Sequence, residues 1–267
     1  SVCFNSSKLS ITVIENPIIQ NITYNGIKST TLKEKILKDV KLRSRSSYNE
    51  VILARDENII LSSLKKLGYY FSKIDIQLVE LENNKIDLIF DIDLGNKSKI
   101  KKISFIGDKK FKDGKLKSVI ISEEYKFWKF ISGRKYLNES MINFDERLLK
   151  NYYLNKGYYD VKVNSSFAKI TSNDDFELIY NINAGNKFYF DDIKINFPLD
   201  FEKLNFEELN NFFQDLKGEA YSINTVEKIL DKIDVISTNE QYESVTTMVS
   251  ENIDLDKISL NFTIKET

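Results

Sequence analysis

Histidine is absent from this 267-residue chain. With it go the commonest general base near neutral pH and the commonest transition-metal ligand. The single cysteine, Cys3, excludes an internal disulfide and a cysteine-rich zinc site. It does not fix a redox compartment, because domains in oxidising surroundings can do without disulfides. No run approaches the ~18 apolar residues of a membrane-spanning helix. No charged-then-apolar leader opens the chain, so an exported protein would be represented here by a mature or excised piece. Charge of one sign is missing too: 39 basic residues face 40 acidic ones. That balance argues against nucleic acid as the main partner, since phosphate binding is carried by clustered, uncompensated Lys and Arg. The basic stretch Lys97–Lys102 is flanked by Asp91, Asp93 and Asp108 and reads as a solvated turn between strands.

Catalytic signatures are equally scarce. There is no Gly-rich phosphate loop, no Gly-x-Ser-x-Gly elbow and no Cys–His arrangement. The carboxylate pairs Glu123-Glu124 and Asp174-Asp175 fall in polar turns outside any recognisable cation-binding loop. The expectation is a chain with no catalytic residue, no metal and no cofactor. An enzyme built from tandem domains with a shared carboxylate site is the competing reading, and the missing histidine argues against it.

What the chain does have is a repeat. Lys66-Leu67-Gly68-Tyr69-Tyr70 returns 89 residues later as Asn155-Lys156-Gly157-Tyr158-Tyr159. At the same offset Asn49-Glu50 matches Asn138-Glu139, and Asp56 matches Asp145. Earlier in the unit the offset is 81, pairing Ile22-x-Tyr24-x-Gly26 with Ile103-x-Phe105-x-Gly107. The drift locates an insertion within Lys112–Arg134, where loop length varies most freely. Each unit closes on an alternating strand: Ile86-x-Leu88-x-Phe90-x-Ile92, then Phe176-x-Leu178-x-Tyr180-x-Ile182, then Ile258-x-Leu260-x-Phe262-x-Ile264. Period-two alternation of branched and aromatic residues is a half-buried strand. Leu9-x-Ile11-x-Val13 has the same phase, so residues 1–15 are read as the last strand of a preceding unit.

Three units follow, over 16–96, 97–186 and 187–267. In the first, a strand over Ile18–Tyr24 ends at Gly26, and a short helix spans Thr31–Asp39. A longer helix opens at Asn49, a good N-cap, and stops at Gly68, where a left-handed C-cap favours glycine. The strands Phe71–Val79 and Ile86–Ile92 then form a hairpin across Glu82-Asn83-Asn84. The order β-α-α-β-β in about 80–90 residues is an α+β domain. Gly26, Gly68, Tyr69, Gly107, Gly157 and Tyr158 are its structural markers. Hinges are expected near Gly95–Ser98 and Gly185–Phe188.

These residues resemble POTRA domains, the β-α-α-β-β modules of outer-membrane assembly proteins and polypeptide-transport relatives. The resemblance is carried by Glu15-Asn16-Pro17-Ile18-Ile19 with Gly26, by the helix-end Gly-Tyr of two units, and by Leu42–Tyr48 ahead of the long helix. It spans essentially the whole chain and is greatest to the second, third and fourth units of the outer-membrane assembly branch, with the end of the first. A translocation-assembly or two-partner secretion transporter is the alternative within the fold. The resemblance implies a three-stranded mixed sheet with two helices on one face in each unit. It also implies a periplasmic scaffold of a Gram-negative bacterium that receives unfolded outer-membrane proteins, docks accessory lipoproteins, meets periplasmic chaperones and precedes a C-terminal membrane barrel not present in this chain. No cofactor is implied.

An edge strand offers unpaired N–H and C=O groups to an extended client. The strand after the second helix is typically an edge in this family. The favoured site is therefore Val161, Lys162, Val163, Asn164, Ser165, Ser166, Phe167 and Ala168, with Val161, Val163 and Phe167 facing the core. Ser72–Val79 and Ser244–Ser250 are the weaker counterparts. Trp128, within Tyr125-x-Phe127-Trp128-x-Phe130, is expected to pack over its own two helices, with an exposed partner anchor as the alternative.

Overall fold

Alternating apolar residues build three three-stranded sheets and one two-stranded sheet in a computed structural model that describes residues 2–5, 8–11, 15–128, 131–171, 173–242 and 245–266. The chain opens with an antiparallel hairpin of β1 (Val2–Asn5) and β2 (Lys8–Ile11). The expected single terminal strand is thus two strands, and its Val13 lies outside the described residues.

In the first repeat β3 (Ile18–Asn25), α1 (Thr30–Leu37), α2 (Glu50–Lys66), β4 (Lys73–Leu81) and β5 (Lys85–Asp93) follow in order. The sheet runs β3-β5-β4, with β3 parallel and β4 antiparallel to β5. Helix α2 starts where the Asn49 side chain accepts the Ile52 N–H, satisfying one donor that the first turn leaves free. Leu53, Ile60 and Leu64 of α2 and Ile36 of α1 are buried with Ile86, Leu88, Phe90 and Ile92 of β5. Both helices therefore cover one face of the sheet. The opposite face is a polar ladder in which Asn25 and Gln77 donate to Asp91 and Asn21 donates to Asp87.

The second repeat contains β6 (Lys99–Asp108), α3 (Asp113–Lys117), α4 (Glu139–Leu154), β7 (Lys162–Lys169) and β8 (Asp175–Asn183), with sheet order β6-β8-β7. The third contains β9 (Tyr189–Asn196), α5 (Glu207–Leu216), α6 (Ile223–Asn239), β10 (Val245–Asp254) and β11 (Lys257–Glu266), with β11 central. Leu209 and Phe213 of α5 and Val226, Ile229 and Ile233 of α6 are buried with Ile258, Leu260, Phe262 and Ile264 of β11. No helix among the described residues is long and apolar enough to cross a membrane.

By contact density the chain falls into two compact units. One is Ser1–Ile100 with Tyr125–Ser140 and Ile170–Phe176; the other is Lys101–Glu124, Met141–Lys169 and Glu177–Thr267. Within the first, Ser98 N–H donates to Gly68 O and Leu137 N–H donates to Ser98 O. Within the second, Phe188 N–H donates to Gly157 O and Tyr221 N–H donates to Phe188 O. Both segments expected to be hinges thus carry an equivalent pair of main-chain hydrogen bonds, one to the end of a long helix and one from just ahead of the next.

Candidate protein-binding edges

Every three-stranded sheet has two outer edges, and the chain treats them differently. On the β3 side, the segment before α2 folds back: Ile19 N–H donates to Ser46 O, and Arg45 N–H donates to Ile19 O. Arg45 adopts φ 68 to make that approach. In the third repeat Phe190 N–H donates to Glu219 O and Gly218 N–H to Phe190 O, with Gly218 at φ 85. In the second, Tyr125 N–H donates to Ile100 O, and Lys99 bridges Tyr136. A loop therefore occupies the start of one edge in each repeat.

The other edge is formed by β4, β7 and β10, and among the described residues no strand lies outside any of them. Along β7, Lys162 and Lys169 mark the two ends, and Val163–Ala168 between them carries no charge. Val161 is buried just before the strand, Val163 and Ser165 are half-buried, and Lys162, Asn164, Ser166 and Ala168 are exposed. Phe167 departs from its expected core position, being 40% exposed. The distal halves of β4 and β10 are likewise exposed. The loss of alternation is confined to the edge strands, since Ile86, Phe176 and Ile258 of the central strands stay buried next to the same hairpin turns. Charge sets β4 apart, with Asp75 and Glu80 along it, whereas β10 carries none over Val245–Ser250 before Glu251, which accepts the Tyr159 hydroxyl.

The helix-end glycines and tyrosines have a definite place. Gly157 sits at φ +93 after α4, where a Cβ would come within 2.9 Å of Lys187 Cγ. Only a residue without a side chain fits both the left-handed turn and the approach of the following linker. Gly68 occupies the equivalent position after α2, while Gly26 and Gly107 bring the ends of β3 and β6 against the Ile92 and Ile182 carbonyls. Tyr69 N–H and Tyr158 N–H close their helices onto Leu64 O and Tyr153 O. Tyr158 also packs edge-on to Tyr153 and Phe111. Tyr159 meets Tyr221 edge-on at 5.1 Å and Phe188 at 5.7 Å, and burial pushes its hydroxyl up to about 12, helped by the Glu251 carboxylate.

Two features escape simple periodicity. Asp56 and Asp145 are fully buried. Asp56 accepts Lys41 N–H and Leu42 N–H; Asp145 accepts Ile121 N–H, Ser122 N–H and the Tyr180 hydroxyl at 2.7 Å. Their match at one offset was the available signal. Trp128 departs from its expected packing: it is 59% exposed and its neighbour Phe127 is 72% exposed. Phe130 lies outside the described residues. Among the described residues no group of three His, Cys, Asp or Glu could hold a metal ion.

The POTRA family model, described as a surface antigen variable number repeat, matches residues 17–95 and again 98–185. The chain belongs to the POTRA family. These POTRA repeats align at 24% identity with the outer membrane protein assembly factor BamA of Buchnera aphidicola, over 98% of this chain and 43% of that protein. BamA of Neisseria meningitidis is 27% identical over 58% of this chain and 20% of its own length. The chain thus spans less than half the length of the curated relatives it matches. A crystal structure of Haemophilus influenzae BamA POTRA3-5 superposes with a TM-score of 0.50 at 17% identity, covering 95% of this chain and 97% of that one. That likeness is one of fold, and it extends the POTRA architecture to the third repeat.

Proposed function

We propose that this chain is a periplasmic scaffold in the assembly of outer-membrane proteins of a Gram-negative bacterium. Its repeats span 16–96, 97–186 and 187–267, after the end of a preceding unit over 1–15. Unfolded outer-membrane proteins add as a strand to the outer edge of β7 along Val161–Ala168, and accessory lipoproteins and chaperones dock on the same scaffold. The observation that carries this reading is an open edge with six uncharged residues between Lys162 and Lys169. Main-chain hydrogen bonding to such an edge asks little of the client's sequence, which suits clients that share only alternating β-strands. Similarity to BamA, whose name states a role in outer-membrane protein assembly, supports the cellular setting.

An amide NMR titration with a peptide from an outer-membrane β-strand tests the site. Shifts concentrated along Val161–Ala168 are expected. In an edge strand alternate N–H groups point outward, so one of Ser165→Pro and Ser166→Pro removes an outward donor. That variant loses peptide binding, whereas the other breaks pairing with β8 and loses stability. Shifts confined to the helices, or equal binding by both variants, would overturn the edge mechanism.

A further inference from the structure

Between α3 and α4 the chain does something a soluble core would not demand. Residues 125–138 contain Lys126, Lys129, Arg134 and Lys135 and no acidic residue. Phe127 and Trp128 pack edge to face at 4.7 Å yet stay exposed, and Ile131 is 100% exposed. The base of this loop is fastened. Tyr125 N–H donates to Ile100 O at 2.6 Å and Leu137 N–H to Ser98 O at 2.8 Å. Lys135 is buried between the rings of Tyr125 and Tyr136, at 5.2 and 5.6 Å. An anchored base with an apolar tip is a presented surface.

One cation lies against that tip and two more against its base. Lys126 lies 5.8 Å from the Trp128 ring and Lys99 lies 4.8 Å from Tyr125. Lys97 lies over both Tyr69 and Tyr136, at 5.5 and 5.2 Å. Lys97 and Lys99 line an open cavity of about 610 Å³ with Tyr69, Asn96, Tyr136 and Asn173, and among the described residues no carboxylate lines it. Lys97, Lys99 and Lys126 form no ion pair among the described residues.

We propose that this loop is a membrane-interface tip. Phe127, Trp128 and Ile131 enter the headgroup region of a bilayer, and Lys97, Lys99 and Lys126 receive the phosphates of anionic phospholipids. The chemistry matches on both counts. Tryptophan and phenylalanine gain at the boundary between water and acyl chains, and each ammonium near an anionic surface adds attraction that salt screens. Lys97 and Lys99 sit at the base of the loop and Lys126 beside the apolar tip, the order in which an interface offers phosphate and acyl chain. This inference is independent of the β7 edge.

The chain reports on its own tip, because Trp128 is its only tryptophan. Its emission is recorded as the whole chain is titrated with vesicles containing phosphatidylglycerol, and separately with phosphatidylcholine vesicles. The expected result is a blue shift with the anionic vesicles alone, quenching by lipids brominated on the acyl chains, and reversal in high salt. Lys97→Glu combined with Lys99→Glu weakens binding about tenfold or more. Phe127→Ser with Ile131→Ser weakens it in a vesicle cosedimentation assay while far-UV circular dichroism is unchanged. Three outcomes overturn the proposal: no shift and no cosedimentation with anionic vesicles, an equal response to phosphatidylcholine, or a Trp128 response to an unfolded β-strand peptide in place of lipid.

Discussion

Asp145 shows how much one residue can organise. Its buried carboxylate ties the segment after α3 to α4 through two main-chain donors and to β8 through Tyr180. Asp145→Ala strands those donors away from water, at about 1–3 kcal/mol for each buried group left unpaired. The expected loss is roughly 3 kcal/mol, read as lower hydrogen-exchange protection of α4 and β8. The third repeat has Ile229 where the others have the aspartate, so Ile229→Asp would destabilise it by burying a charge without donors. Gly26 is a second such point. At φ +86 a Cβ would lie 1.8 Å from the Ile92 carbonyl oxygen, so Gly26→Ala forces β3 and β5 apart. A loss of several kcal/mol is expected in a urea titration followed at the first repeat.

Tyrosines set the response to alkali. Burial raises the hydroxyls of Tyr24, Tyr70 and Tyr159 from 10.0 to about 12, and it holds Tyr153, Tyr180 and Tyr221 higher still. In the unfolded chain each would ionise near its ordinary value. Above pH 10 the unfolded state therefore binds fewer protons than the native one, and stability falls as pH rises. The contribution is full below pH 10 and lost as pH passes through about 12 for Tyr24, Tyr70 and Tyr159. Absorbance at the tyrosinate band should rise in two steps, the later one coinciding with loss of circular dichroism. A single step near pH 10 with the fold intact would contradict the burial of these rings.

At the scale of elements, the two edges of the first and third sheets have different fates for one local reason. The segment entering the long helix turns through a left-handed residue, Arg45 or Gly218, and hydrogen-bonds to the first strand. Among the described residues nothing comparable lies beyond β4, β7 or β10, whose distal halves are largely exposed. Exposed strand edges are aggregation hazards that charges usually mitigate. Asn164→Lys together with Ser166→Lys should therefore improve solubility on concentration while weakening peptide binding to β7. Static light scattering and the NMR titration above measure the two effects, and unchanged peptide affinity would exclude this edge as the receiving site.

For the molecule as a whole, the repeated Gly-Tyr-Tyr is a joint as well as a helix terminus. Gly68 O and Gly157 O each accept from the linker to the next repeat, and Tyr159 packs against Phe188 and Tyr221. A repeat of this size buries only about 60% of its unfolded surface, so neighbour packing contributes to its stability. Tyr159→Ala should uncouple the second and third repeats, so that one thermal transition becomes two in calorimetry. A single transition at lower temperature would mean that Tyr159 stabilises without coupling.

Much of this was legible in the sequence. Alternation in Ile86–Ile92 and Ile258–Ile264 marked the central strands, because a strand covered by helices on one face must repeat its apolar residues every second position. Asn49 and Gly68 marked the ends of the long helix through the backbone groups that a helix leaves unpaired. The 89-residue offset phased the repeats and singled out Asp56 and Asp145 before their partners were visible. What tertiary structure alone decided was where that periodicity ceases to apply. Phe167 continues the alternation of β7 yet lies in the exposed distal half of the strand, and Trp128 sits in an aromatic run that its loop holds outward. Alternation encodes which face of an element a side chain lies on, whereas exposure depends on whether anything packs against that face. That second quantity is set by segments distant in sequence, and only the folded chain brings them together or leaves the face bare.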